Sequence, residues 1–186
     1  MRKPLKTALT LFLICAFFTL LLALVNRLTV PRIEQNRIKA LYSGLNEIVN
    51  DGEIDTSIGE VNVNKGNVVS YYPVNKNGSL SGYVLSLNAS GYGGDFSLIA
   101  YYDLSGKVKG VKMLENSETP GIGKKYEDAS VIGLFTNYNR IPLSKSDLDS
   151  DDASIVSGAS VTFSGISKAL QEGEAFIKNL IGGENV

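Results

Sequence analysis

Residues 7–25 form an unbroken run of 19 positions without a charged side chain, TALTLFLICAFFTLLLALV. As a helix rising about 1.5 Å per residue, the run reaches roughly 28 Å, the thickness of a bilayer's hydrocarbon core. Arg2, Lys3 and Lys6 precede it; Arg27, Arg32 and Glu34 follow. A cleaved leader has a shorter apolar core and a small-x-small cleavage site. This run instead ends Ala23-Leu24-Val25-Asn26-Arg27, and Cys15 lies mid-run behind Ile14, out of place for lipid attachment. The run is therefore expected to be an uncleaved single-pass anchor, residues 1–30, in the cell (inner) membrane. Basic residues flank both sides, so the charge asymmetry weakly favours a cytoplasmic N-terminus and an extracytoplasmic remainder.

What the remainder can do is narrowed by what it lacks. The 186 residues include no His, no Trp and one Cys, already placed in the apolar run. Imidazole-based catalysis, an internal disulfide, a CxxC redox pair, a thiolate zinc cage and an iron–sulfur cluster are all excluded. The net charge of -1 gives no excess of positive charge for a nucleic-acid backbone. Carboxylates, lysines, hydroxyls and tyrosines remain, with any cofactor they hold.

Beyond the anchor the pattern divides in three. Pro31 disfavours helical geometry at Val30 and is expected to mark the membrane exit. Ile38, Leu41, Leu45, Ile48 and Val49 recur at helical spacing and predict an amphipathic linking helix over 33–49, ended by Asn50-Asp51-Gly52. The linking segment is then 31–52 and the main domain 53–186. Short β-branched and aromatic runs at 68–72, 83–87, 97–102 and 108–114 alternate with turn pairs Asn77-Gly78, Gly91 to Gly94 and Ser105-Gly106, which predicts strands. Residues 103–107 are expected to close a hairpin, with Lys107, Lys109 and Lys112 on a solvated face or edge. The Ser- and Asp-rich segment 144–154 reads as a solvated loop, because EF-hand spacing is missing. Ile166, Ala169, Leu170, Gly173, Ile177, Leu180 and Ile181 predict a terminal helix, capped by Thr162 or Ser164 and ended by Gly182-Gly183. Helix, strands and helix in that order give an α+β domain with antiparallel strands.

Two short segments carry chemical interest. In Asn116-Ser117-Glu118-Thr119-Pro120-Gly121-Ile122-Gly123, Pro120-Gly121 suits the centre of a type II turn, and the glycines let backbone approach a flat ligand. In Val156-Ser157-Gly158-Ala159-Ser160-Val161-Thr162, small residues at a helix start expose N–H groups and the positive end of the helix dipole to an anion. Taken singly, each has a simpler account: a turn after a strand, and a helix start packed by small residues.

Taken together, Glu-Thr-Pro-Gly-Ile-Gly followed about forty residues later by Ser-Gly-Ala-Ser-x-Thr resembles the FMN-binding domain family. The glycine-rich 91–97 stretch and the single span match as well. Within that family the chain is most similar to the G subunits of Rnf ion-translocating electron-transport complexes, relatives of the C subunit of the sodium-pumping NADH:quinone reductase. The resemblance implies an electron-transfer subunit carrying FMN covalently, its phosphate esterified to Ser160 by a separate flavin transferase. It implies that Glu118, Thr119, Gly121, Ile122 and Gly123 lie against the flavin, and that Ser157, Gly158, Ala159, Val161 and Thr162 complete the cofactor site. No catalytic or metal-binding residue follows from it, and the partners it implies are the other Rnf-type subunits, the transferase and the bilayer. The chain departs from the family at Ser160, usually Thr, at Ser154, usually Asp, and at Asn116, often His. Those departures define the alternative: a divergent assembly or sensory subunit of the same fold without flavin.

Overall fold

The computed structural model describes residues 2–49, 53–54 and 61–183. The expected helix stop at 50–52 lies outside the described residues. The chain divides into two compact units, Met1–Ala40 and Leu41–Val186.

The first unit is helical. Helix α1 runs unbroken over Arg2–Ile48, with Pro31 inside it. The expected interruption at Pro31 is therefore not found. A proline forfeits one backbone hydrogen bond and crowds the preceding turn at a cost of roughly 3 kcal/mol, and the ladders on either side continue without it. The apolar part is long enough to cross a membrane and is wholly unburied. Thr10, Thr19 and Thr29 return their hydroxyls to the carbonyls of Lys6, Cys15 and Val25, so these polar groups are satisfied within the helix itself.

The second unit is built on an antiparallel sheet. Its strands are β1 (Glu53–Ile54), β2 (Val61–Lys65), β3 (Val68–Lys76), β4 (Ser79–Ser90), β5 (Asp95–Asp103) and β6 (Val108–Asn116). The order is β1-β3-β4-β5-β6, with β2 also paired to β3. The turn pairs act as the sequence suggests. Asn77 and Gly78 both take positive φ, as a two-residue hairpin of the right twist demands. Gly106, at φ 82°, turns β5 into β6. Pro73 falls between the stretch of β3 paired with β2, which stops at Tyr71, and the stretch paired with β1, which starts at Val74. Pro73 thus has no described partner on that edge, and it pairs with Tyr83 of β4 on the other.

Alternation sends two sets of side chains to two faces. Leu85, Leu87, Ala89, Leu98, Ala100 and Tyr102 form one core with Phe163, Ile166, Leu170 and Ile177 of helix α5 (Ser160–Gly182). The short helices α2 (Ala129–Ile132) and α3 (Leu134–Asn137) add Ile132, Leu134 and Phe135 to the same core. On the opposite face Val84, Ile99, Tyr72 and Val74 pack with Leu45 and Val49. The end of α1 is thus part of the domain's core as well as a link to it. Its closeness needs small residues: a Cβ on Gly110 would lie 2.9 Å from the Ile48 carbonyl oxygen, and one on Gly44 2.8 Å from Ile99 Cδ1.

β6 is an edge strand, and its lysines behave as solvated groups. Lys109, the exposed residue at a bulge, pairs with Asp103 at 3.5 Å, and Lys112 pairs with Glu47. Asp103 organises the hairpin by accepting from the Ser105 hydroxyl and from the N–H groups of Ser105 and Lys107. The acidic 144–154 segment is spent on capping. Asp147 closes a capping box with Ser144, and Asp149 caps helix α4 (Ser150–Ile155). Among the described residues no cluster suited to a metal is present.

At the end of α5, Gly183 takes φ 73° and donates to the Asn179 carbonyl, as expected. At its start the expectation fails: the N-cap is Ala159, and Thr162 and Ser164 lie inside the first turns. Thr162 is drawn inward by a partner distant in sequence, described below.

Two outcomes follow from the packing. Gly173 faces the Tyr102 hydroxyl, which donates to the Leu170 carbonyl at 2.9 Å, and a Cβ there would collide with that oxygen. Gly173→Val should destabilise the protein by about 1–3 kcal/mol, read as a lowered midpoint in thermal circular dichroism. Burial pushes the Asp103 carboxyl upward, but the hydrogen bonds from Ser105 and Lys107 and the Lys109 ammonium outweigh it and hold the carboxyl below its ordinary value. A depressed folded-state pKa contributes stability above the unfolded value of roughly 3.9, and that contribution is lost as the pH falls through the folded value. Asp103→Asn should therefore lower the melting temperature at pH 7 and make little difference at pH 2.

Candidate functional site

The two sequence segments meet at a buried carboxylate. Glu118 is only 2% exposed. Its Oε1 accepts from the Thr162 hydroxyl at 2.9 Å, and its Oε2 accepts from the Gly93 N–H at 2.9 Å. One side chain therefore ties the strand-end loop after β6 to the first turn of α5 and to the glycine loop between β4 and β5. Glycines make the space for it. A Cβ on Gly91 would collide with Glu118 Oε1, one on Gly123 would lie 2.5 Å from its side-chain carbons, and one on Gly93 would lie 3.0 Å from its Cα. These glycines serve the approach of a protein carboxylate.

The loop bearing Glu118 is fixed locally as well. Asn116 Oδ1 accepts from the Glu118 N–H at 2.9 Å, and its amide donates to the Gly123 carbonyl at 3.3 Å, so Asn116 clips both ends of the segment. Ile122 N–H donates to the Thr119 carbonyl at 3.1 Å across Pro120-Gly121, and Gly121 has φ 77°, as a type II turn requires. Thr119, Pro120 and Gly121 are exposed, Ile122 is half-buried and Gly123 is buried.

The second segment presents its groups differently. Val156 and Ala159 are buried, whereas Ser157, Gly158, Ser160 and Val161 are exposed. Gly158 takes φ 80° with open space where a side chain would stand. Lys125, in the 3-10 turn Gly123–Glu127, donates to the Ile155 and Ser157 carbonyls, each at 2.7 Å. Burial, with the Lys145 ammonium nearby, holds the Lys125 pKa below its ordinary value. Ser160 opens α5 behind an N-cap without a side-chain acceptor, beside the positive end of the helix, and its exposed hydroxyl has no hydrogen-bond partner among the described residues.

Ser160 opens onto a groove of about 490 Å³, lined by Asn67, Ser90, Ser160, Val161, Ser164, Gly165 and Lys168. That volume suits a ligand of nucleotide size. Gly165 lets α5 close on β4, since a Cβ there would collide with the Ser90 carbonyl oxygen. Asn67 is held by Glu172, whose Oε2 accepts its N–H at 2.9 Å. Of the expected site residues, the structure brings Ser160 and Val161 to this groove and joins Glu118 to Thr162. Thr119 and Gly121 lie exposed on their own turn, and Ile122 is half-buried against the core. Ser164 and Lys168 were missed by sequence reasoning, although spacings of four from Ser160 put all three on one helix face. Asn67 and Ser90 come from strands far away in sequence and left no such signal.

Residues 91–173 match the model of the FMN-binding domain. Over that segment the chain is similar to the FMN-binding domain family. The segment runs from the glycine loop, through Glu118 and Ser160, to Gly173 on α5. Residues 2–48 match the RnfG N-terminal region, which coincides with α1. The chain is similar to proteins named as the G subunit of an ion-translocating oxidoreductase complex. The Photorhabdus laumondii protein is 35% identical over 130 residues, covering 66% of this chain and 62% of the relative. The Vibrio vulnificus protein is 27% identical over 189 aligned residues, covering 92% and 88%. The Stutzerimonas stutzeri protein is 31% identical over 124 residues, and the chain spans about half of its length, 54%.

The Glu118 junction makes a contrast testable. Glu118→Ala leaves the buried Thr162 hydroxyl without its acceptor and should cost roughly 1–3 kcal/mol, while the exposed Gly93 N–H can turn to water. Thr119→Ala, on the exposed turn next door, should stay within about 0.5 kcal/mol. Thermal melts of the two variants compare them directly.

Proposed function

We propose that this protein is an electron-transfer subunit of an Rnf-type ion-translocating oxidoreductase, anchored by α1 and carrying FMN as a phosphoester on Ser160. In this reading α1 holds the domain at the cell membrane with its N-terminus in the cytoplasm and the FMN-binding domain outside. Other subunits of the complex donate and accept the electrons, and a flavin transferase installs the cofactor. The observation that carries the proposal is the exposed Ser160 hydroxyl at the uncapped start of α5, opening onto a groove within the segment matched to the FMN-binding domain.

The residues present fit that group. A phosphodiester needs an alcohol oxygen, and Ser160 supplies one, where the family more often has threonine with the same oxygen. Its negative charge needs donors, and the first-turn N–H groups of α5 face that end of the helix. Gly158, without a side chain in open space, leaves the approach to Ser160 clear. The hydroxyls of Ser90 and Ser164, the Asn67 amide and the Lys168 ammonium give the groove further polar groups. When bound, FMN supplies the one- and two-electron chemistry that the side chains of this chain lack. Glu118 and Thr162 act behind the site, fixing the first turn of α5 so that Ser160 faces outward.

Protein produced with its transferase should yield a Ser160 peptide heavier by one esterified FMN, and a fluorescent band after denaturing electrophoresis. Ser160→Ala should abolish both, and Ser160→Thr should keep both. A Ser160 peptide of unmodified mass from native membranes would overturn the covalent reading and favour a subunit without flavin.

A further inference from the structure

The two chemically distinctive segments touch each other on both sides of Ser160. Beyond it in the chain, Thr162 donates its hydroxyl to Glu118 Oε1 at 2.9 Å. Before it, Ile155 and Ser157 each offer a carbonyl to the Lys125 ammonium at 2.7 Å. Between Glu118 and Lys125 the chain makes the turn whose Thr119, Pro120 and Gly121 are exposed. Between Ser157 and Thr162 it exposes Gly158 and Ser160. Two contacts thus close a frame, with the turn on one side and the serine on the other.

The two contacts differ in kind. Glu118 is buried, whereas Lys125 is half-buried at the open end of the frame. Lys125 takes carbonyls that the local backbone leaves over. Those of Val156 and Ala159 accept the N–H groups of Ala159 and Phe163, whereas Ile155 ends α4, where helix carbonyls lack a partner within the helix. A charged donor on two carbonyls is held firmly, and it holds the loop in return. Gly158, at φ 80° with open space where a side chain would stand, gives that loop no packing of its own. The turn opposite is already clipped by Asn116, so the setting of the loop against it depends on Lys125.

We infer that Lys125 is a positioning residue for the cofactor: it sets Ser160 across from the 119–121 turn, so that a flavin esterified at Ser160 rests its ring on that turn. The inference rests on the attachment given under Proposed function and adds what keeps the tethered ring in one place. A phosphoester leaves the ring on a chain of freely rotating bonds, and docking it costs the entropy of those bonds. A loop already fixed against the turn lowers that cost. Lys125 acts through the loop backbone, and Glu118 keeps the rest of the junction when Lys125 is replaced.

The test uses the full-length protein in detergent, produced with its flavin transferase, as wild type, Lys125→Arg, Lys125→Gln and Lys125→Met. The mass of the Ser160 peptide and the thermal midpoint are read first. The visible circular dichroism of the flavin bands, per bound flavin, is then read well below the midpoint. A ring swinging in solvent gives little ellipticity, and a ring held on one protein surface gives a defined signal. All four proteins should carry the flavin. Lys125→Met should lose about half or more of the visible ellipticity, Lys125→Gln a smaller share, and Lys125→Arg, whose fork can serve both carbonyls, should keep it. Should the Met variant fail to fold, the Gln variant carries the comparison. A lowered midpoint with wild-type ellipticity in the loaded Met and Gln variants is the signature of a purely structural lysine; it would overturn the inference and leave Ser160 attachment standing. Loss of flavin from folded Met and Gln variants also overturns it, by assigning Lys125 to attachment, as does a loaded wild type without visible ellipticity. A wild-type peptide without the flavin mass removes the reading beneath it, and the mass, not the ellipticity, reports that outcome.

Discussion

A single buried carboxylate governs the arrangement of the functional end of the domain. Glu118 has given up water, and its oxygens are satisfied by a hydroxyl from the first turn of α5 and a backbone N–H from the glycine loop. Three chain segments meet on it, Gly93 lying 25 positions before Glu118 and Thr162 44 positions after it. Removing a carboxylate from solvent is costly unless it is hydrogen-bonded, so the contact specifies one arrangement of the three segments. The glycines around it follow from that requirement, because side chains at 91 and 123 would occupy the same space as the Glu118 side chain.

The sheet then relates this junction to the rest of the domain. One face packs against α5, whose first residue is Ser160, and the other against the final turns of α1. The helix that contains the apolar run therefore also supplies core residues, and the helix that presents the candidate attachment site is held by the largest core. A rigid platform under an exposed hydroxyl is what a tethered cofactor needs, since the tether alone leaves a flavin free to wander.

Much of this was legible in the sequence where the signal is local. Strands announced themselves by alternation and by the turn pairs Asn77-Gly78 and Ser105-Gly106, because positive φ is cheap only for a few residue types. The Pro120-Gly121 turn and the Gly183 stop were legible for the same reason. Non-local matters were not. The stripe Leu41, Leu45 and Val49 says that a face is buried but not against what, and the last turns of the expected linking helix supply core residues. Thr162 looked like a cap because a hydroxyl near a helix start suits either role, and the partner that decides it, Glu118, lies 44 residues away. Pro31 carries a local penalty that says nothing of the helix on either side. The short strands β1 and β2 lacked enough alternation to be read. In the candidate site, the helix face Ser160-Ser164-Lys168 could have been found by spacing, whereas Asn67 and Ser90 depend on the register of β3 and β4.

Pro73 has a consequence for how the sheet comes apart. It lies between the described β1 and β2 pairings on the outer side of β3, while the inner ladder with β4 runs on past it. Amide protection should therefore be graded, low along this outer margin and high through β4 and β5, with the Asn67 wall of the groove steadied by its bond to α5.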